Sequence, residues 1–316
     1  MKLYEIIREG DNSKRNKMLY FRQTVDSILG KIYGKTIIVF DTETTGLSVK
    51  LPWVQVTEIA AIAFDADTGK RLGTYHRKVK LTPETKAEID VQKRNIGPND
   101  RGSIEGPKGM NIPDLFRMSR YGDDDAPREN TREVYQGFVD FISQYNAPIL
   151  LGQNVAFDMG QMFAPLKRLG IERPVIGEVL DTMILARTWI YPLLKAGEAA
   201  GDHESIEMLK GFTGVDKTGK TRLSFSLGNL GKAFGVNAKH WHSGISDAMQ
   251  TYHIFVKMLE FLKYAKQRGY DVSDEFKSHH STMSGNAFSY GKRPAFGATI
   301  DSETAKGIAA RGRPRV

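Results

Sequence analysis

An apolar run, Thr36-Ile-Ile-Val-Phe40, leads straight into Asp41-Thr-Glu43-Thr-Thr-Gly46. This reads as a buried strand that delivers two acids to its exit edge. A second strand is predicted over 55–65, and a third over 72–81 after the Asp65-Ala-Asp-Thr-Gly69 turn. Three strands in quick succession predict an antiparallel meander. Ahead of them, Met18, Phe21, Val25, Ile28, Leu29 and Ile32 recur at helical spacing and predict an amphipathic helix over 17–32 that packs on the sheet. Helical periodicity returns at 132–145, where Val134, Phe138, Phe141 and Ile142 share a face. A strand at 148–152, a helix at 158–169 and a strand near 175–181 leading into a helix at 182–193 follow. Two helices close the pattern: 226–235, and 246–267 with Met249, Tyr252, Phe255, Val256, Leu259 and Leu262 inward. Residues 97–130 cluster Gly, Pro and Asp with little apolar period and read as a long excursion or lid. Residues 195–223 read as an insertion of Gly-rich and charged loops around one short helix.

The predicted class is therefore α/β, with an antiparallel meander and two later strands in one mixed sheet flanked by helices. At 316 residues and 40% hydrophobic content, the chain is long enough for one sizeable α/β domain with extensions, or for two small domains. The expected division is a helical extension over 1–34, a main domain over 35–268 and a basic tail over 269–316. That tail lacks apolar period and predicts disorder. Without cysteine there is no disulfide framework and no thiol or Cys-type zinc chemistry. No apolar run reaches the ~18 residues of a membrane span, and the N-terminus lacks a signal-peptide core, so a soluble cytoplasmic protein is expected. The net charge of +8 fits a polyanionic partner. From residue 277 onward seven basic residues stand against two acidic ones, so +5 of that excess is local to the tail.

Three separated segments carry candidate chemistry. Asp41 and Glu43, two apart on a strand, share a face. Like charges there repel unless a cation lies between them, and carboxylate oxygens with water suit Mg²⁺ or Mn²⁺. Taken alone, the pair also fits solvated acids at a strand end. The second segment is Gly152-Gln-Asn154-Val-Ala-Phe157-Asp158, where a strand ends in a polar turn and Asp158 opens a helix. An acid in that first turn also fits an N-cap role favoured by the helix dipole. The third, His242-Ser-Gly-Ile-Ser-Asp247, starts a long helix at the aspartate and leaves the histidine on the loop before it. Singly each has a structural explanation. Together, in this order, they describe one acid cluster with a base.

These segments resemble the three exonuclease motifs of the DnaQ-like DEDDh family, 3′→5′ exonucleases that include the proofreading epsilon subunits of bacterial replicative polymerases. The likeness runs over about residues 35–265. It also takes in Val56-Thr-Glu58-Ile-Ala-Ala, Leu180-Asp181-Thr-Met-Ile-Leu-Ala-Arg187 and Ser226-Leu-Gly-Asn-Leu-Gly-Lys-Ala-Phe-Gly235. The resemblance implies a ribonuclease-H-like fold and two divalent ions, Mg²⁺ or Mn²⁺. Asp41, Glu43 and Asp247 would ligate the first ion, Asp41 would bridge to a second reached by Asp158, and His242 would be the general base. Thr42, Thr44 and Leu47 would line the pocket for the terminal nucleotide, and Glu58 would hold its 3′-hydroxyl. Asn154 and Phe157 would shape the cleft, with Asp181 supporting the site from behind. The chain departs from the family in lacking an Ile-His-Gly-Ile-type segment between Thr82 and Thr131.

The expected activity is release of nucleoside 5′-monophosphates from a single-stranded 3′ end, DNA in preference to RNA, with a DNA polymerase or replisome as partner and no membrane. Two other readings share these features: an exoribonuclease of the same fold, and a catalytically silent nucleic-acid-binding or polymerase-tethering module. Gly214-Val-Asp-Lys-Thr-Gly219-Lys220-Thr221 matches the phosphate-binding P-loop pattern letter for letter. A working P-loop follows a buried strand and opens a helix at its Lys-Thr. Neither is predicted here, so a polar turn is expected, with Lys217 or Lys220 available to substrate backbone. His279-His280 reads as part of a solvated tail. Arg311-Gly-Arg-Pro-Arg315 fits either a groove-binding hook or a nonspecific phosphate contact.

Overall fold

The computed structural model describes residues 30–46, 54–94, 128–215, 219–236 and 243–270. Its centre is a six-stranded sheet in the order β4-β3-β2-β1-β5-β6. The strands are β1 (Thr36–Thr44), β2 (Val56–Asp65), β3 (Arg71–Val79), β4 (Arg128–Glu129), β5 (Ile149–Gly152) and β6 (Glu178–Asp181). β1, β2 and β3 pair antiparallel as the expected meander, while β5 joins β1 and β6 joins β5 in parallel. This is the mixed sheet of the ribonuclease-H-like expectation.

β1 is central, and its alternating side chains enter two cores. Ile37 and Val39 join Ile62, Phe64, Ile149 and Leu151 on one face. Ile38 and Phe40 join Ile59, Ala61 and Leu150 on the other. With both faces covered, the strand reads as a continuous apolar run rather than an alternation. The first face is covered by α9 (Gly244–Arg268), whose Ile254, Phe255, Met258 and Leu262 are buried there. Tyr252 of that helix stacks on Phe64 of β2, with ring centroids 3.6 Å apart. The second face is covered by α2 (Thr131–Ser143), through Val134, Phe138, Phe141 and Ile142, and by Met162 and Phe163 of α3 (Val155–Phe163).

Several boundaries differ from expectation for identifiable reasons. The helix predicted over 158–169 starts at Val155 and is divided into α3 and the short α4 (Leu166–Leu169) around Pro165, which supplies no N–H to the helix ladder. The helix predicted over 182–193 runs further. It comprises α5 (Thr182–Leu185), a π turn (Ala186–Ile190) and α6 (Tyr191–Ala199). The predicted 195–223 insertion is mostly ordered, with α7 (His203–Gly211) packed on α6 and a hairpin of β7 (Thr213–Val215) and β8 (Thr221–Leu223). α8 (Leu227–Ala233) then leads toward α9. Within 82–131, where no element is predicted, α1 (Pro83–Arg94) forms, and β4 adds a two-residue edge to β3. α1 is mostly polar, so no amphipathic period marks it. The predicted 17–32 helix before residue 30, most of the 97–130 excursion and the basic tail lie outside the described residues.

Candidate active site

Strand parity decides which side chains meet. Asp41 and Glu43 continue the Ile37-Val39 face of β1, the face covered by α9. Asp247 lies in the first turn of α9. The three residues offer carboxylate oxygens that all lie within 4.8 Å of one another. Thr42, of opposite parity, points to the α3 side and is buried. Its amide donates to Asp158 Oδ1 at 2.9 Å and its hydroxyl donates to the same oxygen at 2.6 Å. Asp158 is itself buried in the first turn of α3.

The electrostatics are those of acids crowded together in a dry place. Burial, then the charges of Asp158, Glu43, Asp247 and Glu58, raise the Asp41 carboxyl well above the ordinary aspartate range. Burial also pushes Asp158 up to about 7, with Glu43 adding to the rise and the two Thr42 hydrogen bonds opposing it. Such a set of hard oxygen donors has the chemistry of a site for a divalent cation. Among the described residues, Asp41, Glu43 and Asp247 are the group with metal-ligand geometry.

Glu58 faces Glu43 directly across β1 and β2. Its Oε1 accepts the Gly244 amide at 3.0 Å and lies 3.0 Å from His76 Nε2. Burial raises this carboxyl. The His76 hydrogen bond and charge, Lys78 and the Gly244 amide outweigh burial and hold Glu58 below the usual glutamate range.

The turn that carries Asn154 is held from below. Asn154 adopts a left-handed backbone conformation at φ 57°, and its amide and that of Val155 donate to the two oxygens of Asp181. Asp181 also caps α5 through Met183 and Ile184, so one carboxylate joins the end of β6 to the start of α3. Burial still raises this carboxyl despite four backbone donors. Phe157 is half-buried in the same turn, and the Thr44 hydroxyl donates to the Gly46 carbonyl at 2.9 Å.

Of the residues expected at the site, Asp41, Glu43, Asp158 and Asp247 are brought together, with Glu58 beside them. Thr42 is occupied in holding Asp158. His242 and Leu47 lie outside the described residues. His76 and Gly244 are additional participants that sequence reading passed over. The P-loop match forms no P-loop, as expected: Gly214 lies in β7 and Thr221 opens β8, so the Lys220-Thr221 step enters a hairpin strand instead of a helix. Among the described residues, no helix is long and apolar enough to cross a membrane.

The chain is similar in sequence to DNA polymerase III of the PolC type. It is 29% identical over 248 residues to the protein from Pediococcus pentosaceus and 27% identical over 231 residues to that from Staphylococcus haemolyticus. These stretches cover 78% and 72% of this chain but 13% and 12% of the relatives, so the chain spans about an eighth of their length. Among solved structures, E. coli Exonuclease I bound to a dT13 oligonucleotide aligns at TM-score 0.44 and 18% identity, over 74% of this chain and 42% of that one. A 3′-exonuclease described as recognising the histone mRNA stem-loop aligns at TM-score 0.40 and 16% identity, over 72% of this chain and 65% of that one. No model of a known protein family matches the chain. The DnaQ-like resemblance read from the three motifs agrees with the sequence relatives, since DNA polymerase III is the setting of that family's proofreading members.

Proposed function

We propose that this chain is a metal-dependent 3′→5′ exonuclease of the DnaQ-like DEDDh type, releasing nucleoside 5′-monophosphates from single-stranded DNA ends in the service of replication. The observation that carries the reading is the convergence of Asp41, Glu43 and Asp247, drawn from two elements about two hundred residues apart, into one donor set with oxygens within 4.8 Å. Asp41, Glu43 and Asp247 would hold one divalent cation, and Asp41 with Asp158 a second. Bound there, Mg²⁺ or Mn²⁺ supplies Lewis-acid stabilisation of the phosphate charge and of the departing oxygen.

The remaining work falls to the protein. His242, two residues before α9, takes the proton of the attacking water, a task suited to an imidazole titrating near neutrality. Thr42 holds Asp158 in place by two donors on one oxygen, which leaves Oδ2 for the reaction centre. Both contacts of Glu58 fall on Oε1, and Oε2 is the atom this reading assigns to the terminal 3′-hydroxyl. Thr44, Leu47, Asn154 and Phe157 border the terminal nucleotide. A DNA polymerase is the partner that the sequence relatives favour.

The test is incubation of the purified chain with 5′-labelled single- and double-stranded DNA and RNA, with and without Mg²⁺ or Mn²⁺. A ladder shortening from the 3′ end of single-stranded DNA, dependent on the cation, is expected. Faster degradation of matched RNA would move the substrate to RNA, where the 2′-hydroxyl is the discriminating group. Cation-independent or absent hydrolysis would overturn the enzyme assignment and favour a silent nucleic-acid-binding module.

A further inference from the structure

We infer that His76 is a positioning residue for the carboxylate cluster: through Glu58 it fixes the start of α9, and with it the place of Asp247 beside Asp41 and Glu43. The inference rests on the metal-site reading above and adds a device that this reading does not contain.

The geometry begins with a row across three strands. Asp41 on β1 pairs with Ala60 on β2, and Ala60 pairs with His76 on β3. One step along, Glu43 pairs with Glu58, and Glu58 with Lys78. All of these lie on the face that α9 covers. Ala60, the smallest side chain of the row, leaves a gap, and the first residue of α9 fills it. A Cβ on Gly244 would lie 3.1 Å from Glu58 Oε1 and 3.2 Å from Ala60 Cβ, with the Asp41 carbonyl oxygen at 3.7 Å. The helix start is thus pressed onto the sheet next to Asp41, and glycine permits that approach.

The same helix start lacks a local cap. Ser243 occupies the N-cap position without a side-chain hydrogen bond to the first turn. The first amides of a helix have no partner within it, and an anion is favoured there. Glu58 supplies that anion from β2, accepting the Gly244 amide at 3.0 Å. A carboxylate serving this end faces Glu43 directly and lies close enough to Asp41 to repel it. Glu58 is only 13% exposed, so water alone does not anchor it, and His76 Nε2 at 3.0 Å is the side-chain donor that holds it. An ionised carboxylate accepts only, so Nε2 carries the proton in this contact. Asp247 follows three residues after Gly244, less than one helical turn on. A shift of the helix start therefore moves Asp247 with it.

The experiment measures Mn²⁺ affinity of the full chain by electron paramagnetic resonance of the free ion, in wild type, His76→Ala and His76→Gln. Loss of a residue that orients a ligand from outside the coordination sphere weakens metal binding on the order of ten-fold. His76→Ala should show a loss of that size. His76→Gln, which keeps an N–H donor, should recover most of the affinity. Equal Mn²⁺ affinity in wild type and His76→Ala would overturn the role of His76 and leave the metal site standing. Absence of Mn²⁺ binding in wild type would instead overturn the metal site, and this inference with it. Should His76→Ala fail to fold, Gly244→Ala decides. Its added Cβ displaces the helix start with His76 intact and should give the same weakening; unaltered affinity there would overturn the clamp.

Discussion

Acids serve helix starts in this chain in two settings, and they do opposite things there. At α7, Asp202 is the N-cap. It accepts the Ser205 amide at 3.0 Å, the Ser205 hydroxyl at 2.6 Å and the Tyr264 hydroxyl at 3.0 Å. Burial pushes its carboxyl up, but these donors outweigh burial and bring it down to about 2. At the β1 exit, where α9 and α3 begin, acids face acids. Asp41 is raised well above the ordinary range and Asp158 is pushed up to about 7. The first arrangement is satisfied by its own neighbours and stabilises the fold. The second sets acid against acid, and such a cluster has the chemistry to take up a divalent cation. Donor supply, not the presence of acids, separates the two settings.

The largest expected effect breaks that comparison on the catalytic side. Asp41→Ala or His242→Ala should lower hydrolysis of a labelled single-stranded oligonucleotide by at least about 10²-fold, the scale at which one charge-handling group is felt at a reacting centre. Melting temperature should stay near wild type, and retained hydrolysis in either variant would sink the assignment.

Asp202→Ala should do the reverse. Loss of an N-cap costs about 1–2 kcal/mol, read as a Tm drop of roughly 2–4 °C per kcal/mol for a domain of this size. The cation-dependent rate should be unchanged when measured well below that Tm.

Asp158→Asn sharpens the contrast. Both Thr42 donors fall on Oδ1, which the amide retains as an acceptor, while a repelling charge is removed. In EDTA this variant should melt above wild type, and excess Mg²⁺ should reverse the order. The gap should depend on pH. An aspartate titrates near ~3.9 in an unfolded chain, so an Asp158 held at about 7 favours the folded state below the lower value and loses that contribution as pH rises through about 7. The advantage of Asp158→Asn should therefore be small at pH 4 and full at pH 8. Asp202 has the opposite sign: its contribution is present above ~3.9 and lost as pH falls toward about 2. Tm profiles that ran parallel for Asp158→Asn and Asp202→Ala would remove the distinction between the two acids.

The smallest effect concerns the β7–β8 hairpin. β8 is exposed along its length, so Lys220→Ala should change stability by no more than about 0.5 kcal/mol. Neither wild type nor variant should turn over ATP. Turnover lost with Lys220 would restore the P-loop reading.

Much of the fold was legible because its elements are strongly patterned. The run at Thr36–Phe40, the apolar positions of 132–145 and the long stripe from Met249 to Leu262 each repeat at the period of the element they form. α1 and the β7–β8 hairpin were not legible, since their mostly polar residues carry no such period. The acids were legible as a set because strand parity places Asp41 and Glu43 on one face from sequence alone.

The sequence by itself determined the order of the strongly patterned strands and helices, the facing of Asp41 with Glu43, and the placing of Asp158 and Asp247 in the first turns of their helices, because periodicity and helix-start chemistry are local. Tertiary structure alone decided that Asp247 joins the β1 acids within 4.8 Å, that Thr42 serves Asp158, and that Glu58 accepts the Gly244 amide on the oxygen that lies beside His76. The hydrogen bonds among them join residues as much as 186 positions apart. They depend on strand register and on how closely a helix approaches a sheet, and no local pattern encodes either.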